Sequence, residues 1–136
     1  MRILLCVFFV FSSWVLSAQL AFEKEGLIAL SNTNKGEVII KGQFKFKNVS
    51  GKAIGLSNSA LETGCDCTKA TFSKGSVNPN EEAFVEVSVK YDFSDPDDSY
   101  VEELKADKGF FFKEIQVNLD NYFVLLYFSG MVKGVK

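Results

Sequence analysis

The chain has 136 residues, 47% of them apolar and 14% aromatic, with a net charge of −2 and 14 phenylalanines. That length fits one domain, and the aromatic share favours strands over helices. The weak acidic balance argues against a nucleic-acid surface, which needs a basic stripe.

Residues 1–18 read as a cleaved secretory signal peptide. Met1-Arg2 gives the positive start, Ile3 to Phe11 is an unbroken apolar run, and Leu16-Ser17-Ala18 offers a cleavage site before Gln19. Even extended to Leu16, the run is shorter than the ~20 residues that a spanning helix requires. No transmembrane segment is therefore expected after cleavage, and the chain is expected in the periplasm or outside the cell. Removing the leader also removes Arg2, the only arginine, and takes the net charge from −2 to −3. No histidine is present. The remainder lacks both the bidentate fork that grips carboxylate or phosphate and the usual neutral-pH general base. Cys6 leaves with the leader, so Cys65 and Cys67 remain as an even pair in an oxidising compartment.

Gly26 to Ser31 is a short strand, followed by a polar turn to Gly36. Glu37 to Asn48 alternates strictly: Val38, Ile40, Phe44 and Phe46 share one face, and Lys41, Gln43, Lys45 and Lys47 the other. Gly42 inside this run signals a bulge or a bend. Asn48-Val49-Ser50 matches a glycosylation sequon, although a turn explains these residues without a glycan. Ala53 to Leu61 carries Ile54 and Leu56 into the cysteine segment, and Lys69 to Ser73 reads as an edge strand. Val77-Asn78-Pro79-Asn80-Glu81 is a tight turn. Glu82 to Tyr91 alternates again, with Ala83, Val85, Val87, Val89 and Tyr91 inward. Phe110 to Leu119 and Tyr122 to Val132 form a final pair of strands about a turn at Asp120-Asn121. Short strands at this spacing predict an all-β, immunoglobulin-like sandwich of about seven strands, occupying residues 19–136 as one domain. Ser99 and Glu102 have capping-box spacing, and Gly109 is a stop signal. A short helix over Tyr100 to Lys108 is expected as an insertion near residues 99–109.

The residues Lys35-Gly36-Glu37, Phe44-Lys45-Phe46-Lys47-Asn48, Gly64-Cys65-Asp66-Cys67-Thr68, Val77-Asn78-Pro79-Asn80-Glu81 and Leu126-Tyr127-Phe128-Ser129-Gly130-Met131-Val132 follow one another in a distinctive order. In this the chain resembles a family of exported bacterial immunoglobulin-like domains of unknown function, common in Bacteroidota and carrying a Cys-x-Cys-Thr motif. That family is related to the ASPM/SPD-2/Hydin domains. Gly64 stands where the family has serine, Asp66 where it has glycine, and Asn80 where its turn has glycine. The resemblance implies a fold and a compartment, and no activity.

Three chemistries stay open for Cys65 and Cys67. In a strand their Cα atoms would lie about 6.5 Å apart on one face, within reach of a disulfide. As thiolates they would suit Cu(I) or zinc, with carboxylates making up the ligand set. Thiol–disulfide exchange is the third, with Lys69 the nearest cation in sequence and Asp66 opposing thiolate formation. The acidic loop Asp92 to Asp98 offers oxygens to calcium but lacks EF-hand spacing. No nucleophile–base pair stands out, and no cofactor is implied.

The expected activity is that of a non-catalytic structural or protein-binding module of the cell envelope, with copper or redox handling at Cys65/Cys67 as the alternative. The last two strands supply a surface for it. Ile115, Val117 and Leu119 make one inward face, yet Phe110 and Phe112 fall on the other phase, and the last strand is apolar on both. Phe110, Phe112, Phe123, Leu125 and Tyr127 are thus left over as a partner surface. Either the inserted segment folds over them through Tyr100, Val101 and Leu104, or another envelope protein or a second copy does.

Overall fold

The structure is a computed structural model that describes residues 19–120 and 123–136. The leader expected over residues 1–18, and Asn121 and Tyr122 at the expected Asp120-Asn121 turn and the start of the last expected strand, lie outside those residues. Among them are ten strands, one α-helix and a 3-10 turn at Asn58–Ala60. The strands are β1 (Leu20–Phe22), β2 (Gly26–Asn32), β3 (Glu37–Asn48), β4 (Ile54–Gly55), β5 (Leu61–Thr63), β6 (Thr68–Phe72), β7 (Ser76–Val77), β8 (Glu82–Asp92), β9 (Phe110–Asn118) and β10 (Phe123–Lys133). The helix, α1, is Ser99–Ala106.

These strands make two four-stranded sheets, ordered β1-β3-β8-β6 and β2-β10-β9-β5, with β4 and β7 paired separately. The expected all-β sandwich is therefore present, with more strands than the seven anticipated. The surplus comes from two- and three-residue strands and from the split N-terminal stretch. β1 runs antiparallel to β3 in the first sheet, whereas β2 crosses over and runs parallel to β10 in the second.

Alternation in β3 and β8 does what two-residue periodicity requires. Val38, Ile40, Phe44 and Phe46 are buried against the facing sheet, as are Ala83, Val85, Val87, Val89 and Tyr91. From the second sheet, Phe111, Ile115, Val117, Leu126, Phe128 and Val132 complete the core. Gly42 is not a bulge: β3 and β8 stay in register from Glu37–Asp92 to Lys47–Glu82. It is a site of close approach instead, since a Cβ there would lie 2.8 Å from the ring of Phe128 and 3.3 Å from Leu27.

Asn48 ends β3 fully buried and fully used. Its amide Nδ2 donates to the carbonyls of Lys52 (2.8 Å) and Val77 (3.0 Å), and its Oδ1 accepts from Ser50 N and Oγ. The sequon side chain is thus committed to turning the chain and holding β7. Its own carbonyl accepts from Asn80 N at 2.7 Å, and Asn80 takes φ 65°, the left-handed conformation expected of it at that turn.

Helix α1 starts one residue earlier than the capping-box spacing suggests. Asp98, not Ser99, is the N-cap: its Oδ1 accepts from Tyr100 N and Val101 N, and its Oδ2 from Asp92 N. Gly109, at φ +89°, closes the other end by donating to Leu104 O at 2.8 Å, and a Cβ there would run into the carbonyl of Val132. Val101 and Leu104 enter the core, so the helix plugs the sandwich rather than covering the outer side of β9 and β10.

Tyr91, buried where α1 meets β8, has its phenol pushed up to about 12, chiefly by burial and then by the carboxylates of Glu103, Asp98 and Asp107. The folded state therefore holds Tyr91 neutral after the unfolded chain has ionised. The contribution is complete below pH ~10 and is lost between pH ~10 and ~12, by about 2–3 kcal/mol. Tyr91→Phe is expected to flatten the fall in stability across that window, read by urea unfolding at stepped pH.

Candidate functional site

Cys65 and Cys67 form a disulfide in a turn, not within a strand, and the turn brings their Cα atoms to 5.3 Å. This turn carries the chain from β5, an edge of the second sheet, to β6, an edge of the first. Thr68 N donates to Cys65 O at 3.2 Å, Thr63 Oγ1 donates to Thr68 O at 3.0 Å, and Cys67 O accepts from Lys90 N at 2.8 Å. Cys67 and Thr68 are buried, Cys65 is half-buried and Asp66 is exposed. Both sulfurs lie 3.4 Å from Thr68 Oγ1. The turn thus staples the two sheets at one corner. Among the described residues, no group of three or more histidine, cysteine or acidic side chains is placed to hold a metal ion.

Cys65 also lines an open cleft of about 490 Å³, together with Tyr100, Glu103, Phe112, Lys113 and Glu114. The carboxylates of the acidic loop before α1 are occupied by the loop's own groups and the helix start. Asp92 accepts from Ser94, Asp95 from Asp97 N, and Asp98 caps the helix. The Ser94 hydroxyl and N–H hold the Asp92 carboxyl below its ordinary range. Lys90 is raised by its 2.9 Å ion pair with Glu37.

The predicted partner surface is brought together on one face. Register pairs Tyr127 with Glu114, Ser129 with Phe112, and Met131 with Phe110 across β10 and β9. Phe110, Phe112 and Phe123 are 59%, 63% and 59% exposed, while Leu125 and Tyr127 are half-buried. Phe112 and Tyr127 stack, with ring centroids 5.4 Å apart. The helical insertion does not cover this face: Val101 and Leu104 point into the core, and Tyr100 and Glu103 line the cleft beside Phe112.

Sequence reasoning missed the other half of the surface. Ile28 and Leu30 on β2 are 83% and 67% exposed and lie in register with Ser129 and Met131 of β10. The signal was present, because Leu27 to Leu30 is apolar on both phases of a strand. Its meaning depended on learning that β2 joins the second sheet beside β10.

The fold and this surface together define a small β-sandwich with one uncovered apolar sheet face. The chain belongs to the family described as "Protein of unknown function (DUF1573)", whose model matches residues 20–132. No curated protein matches it. A crystal structure of a protein of unknown function from Porphyromonas gingivalis W83 is similar, with 12% identity and a TM-score of 0.57 over 83% of this chain and 46% of that one. The secreted serine protease VesC from Vibrio cholerae aligns at 14% identity and a TM-score of 0.45, over 85% of this chain and 23% of that one. The chain thus spans less than half of either neighbour, and the likeness to the Porphyromonas protein bears on the fold alone. Among the described residues no helix is long and apolar enough to cross a membrane.

Replacing Cys65 and Cys67 together by serine is expected to leave a folded sandwich. The bond closes a very short loop and removes little unfolded-state entropy, so the expected loss is about 1–3 kcal/mol. Chemical denaturation of the double variant beside the oxidised protein measures it.

Proposed function

We propose that this chain is a non-catalytic protein-binding module of the bacterial cell envelope, exported behind a cleaved leader, and that it binds through the outer face of β2, β10 and β9. One observation carries the reading. Five large apolar side chains, Ile28, Leu30, Phe110, Phe112 and Phe123, are each more than half exposed on a single sheet. At ~200 Å² for a large side chain they present about 650 Å², above the largest patch of a typical monomer, ~300–600 Å². The disulfide turn serves this reading as a staple. Cys67 lies beneath the surface, and only Cys65 reaches the cleft. The charged start and apolar run before Gln19 support the export step.

Two measurements test the reading. Replacing Phe110 and Phe112 together by serine is expected to leave domain stability within ~0.5 kcal/mol per site, because neither belongs to the core. In solution dilute enough to dissociate any complex, the same variant is expected to bind much less hydrophobic dye. Unchanged dye binding removes the face as a docking surface. Separately, the intact mass of the protein recovered from its native host is expected to begin at Gln19. A mass that retains residues 1–18 overturns export with cleavage.

A further inference from the structure

We propose that the occupant of the apolar face is a second copy of this chain, packed face to face about a two-fold axis running along β10. The inference rests on the reading of this face as a docking surface. Its ground is the register of the three strands. β10 is flanked by β2 on one side and β9 on the other. Ile28, Ser129 and Phe112 form one cross-strand row, and Leu30, Met131 and Phe110 form the next.

A two-fold rotation about a line along β10, in the plane of contact, exchanges the two flanks and preserves height along the strands. Ile28 of one copy then meets Phe112 of the other, and Leu30 meets Phe110. Each row supplies an aliphatic side chain on one flank and a phenylalanine on the other, so the face is complementary to its own rotated image. Ser129, Met131 and Tyr127 fall on the axis and meet their own copies. The small Ser129 leaves room there for the larger flanking side chains.

The area also fits. About 650 Å² from the five most exposed side chains, widened by half-buried Leu125, Tyr127 and Met131, approaches the ~800 Å² per partner of a stable interface. The contact would add a third and a fourth layer to the sandwich with the aligned packing that sheets ordinarily use. An acidic chain is repelled by an anionic lipid surface, which leaves protein as the favoured cover.

Sedimentation analysis of the purified protein over a range of concentrations tests the geometry. The wild type is expected to be a dimer. Ile28→Lys and Phe112→Glu are each expected to weaken it by about tenfold or more. Both residues face outward, so the circular dichroism of each variant should match the wild type. Mixing the two variants is expected to restore a 1:1 heterodimer, because Lys at position 28 of one copy then meets Glu at position 112 of the other while the second pair stays apolar. A wild type that remains monomeric at ~100 μM, far above micromolar affinity, overturns the proposal. If that monomer binds hydrophobic dye and Phe112→Glu abolishes the binding, the face still docks a different protein. If the dye is indifferent, the docking surface itself falls. A dimer untouched by both variants, or variants that do not complement one another, also overturns the proposed axis.

Discussion

A pleated strand sends alternate side chains to opposite faces, and a two-layer sandwich has one interior. Everything distinctive about this molecule follows from how β9 and β10 meet that constraint. Their inward phase, Phe111, Ile115, Val117, Leu126, Phe128 and Val132, fills the core against β3 and β8. Their outward phase carries Phe110, Phe112, Phe123, Leu125, Tyr127 and Met131 as well, beside the polar Glu114, Gln116 and Asn118, and the sandwich has no second interior to receive the apolar ones. β3 shows the ordinary solution, with lysines and glutamine on its outer phase and the pairs Lys45–Glu82 and Lys90–Glu37 across its neighbour. Within one protein, then, the outer face of the first sheet is mostly charged and polar, with Ile39 the exposed exception on β3, and that of the second is not.

Helix α1 is the element expected to close the gap, and its capping decides that it does not. Asp98 fixes the start by bonding Tyr100 N and Val101 N, and ties the loop back to Asp92 N. With the start set there, Val101 and Leu104 turn inward and join the core cluster that also holds Tyr91 and Phe111. Glu102 and Lys105 face solvent and pair at 3.0 Å. The helix spends its apolar stripe on the end of the core and has none left for Phe110 or Phe112.

Sequence pattern was most informative where strands are long and half-buried. Glu37 to Asn48 and Glu82 to Tyr91 alternate for ten or more residues, and their inner residues are those found in the core. Strands of two or three residues, such as β1, β5 and β7, have no period to read. The disulfide followed a turn instead of strand geometry because the chain changes sheets between Thr63 and Thr68, a tertiary fact that residue types do not carry. Gly42 misled for a related reason. A glycine in a strand marks either a bulge or a close approach, and only the facing Phe128 and Leu27 distinguish them. Asn48 likewise read as part of a surface turn, although its amide is fully buried and makes four hydrogen bonds.

The second sheet also has an open strand edge, and the structure treats edge and face differently. β5 covers β9 only opposite Ile115 to Val117, so among the described residues no strand pairs with Phe110 to Glu114 on that side. Val132 N donates to Gly109 O, and antiparallel alternation from that bond turns the main chain of Phe112 toward the open side. An incoming strand would find it there. It would also find Lys113 on the core-facing phase between Phe111 and Ile115, emerging into the cleft beside Glu103, with Glu62 and Glu114 at the rim. An inward-phased charge, a three-residue edge strand and clustered carboxylates are the devices by which sheets discourage edge pairing. The face bears no comparable guard along its apolar rows. The molecule protects a short stretch of backbone edge while leaving Ile28, Leu30, Phe110 and Phe112 bare, and the contact proposed above accordingly runs through side chains rather than through added strands.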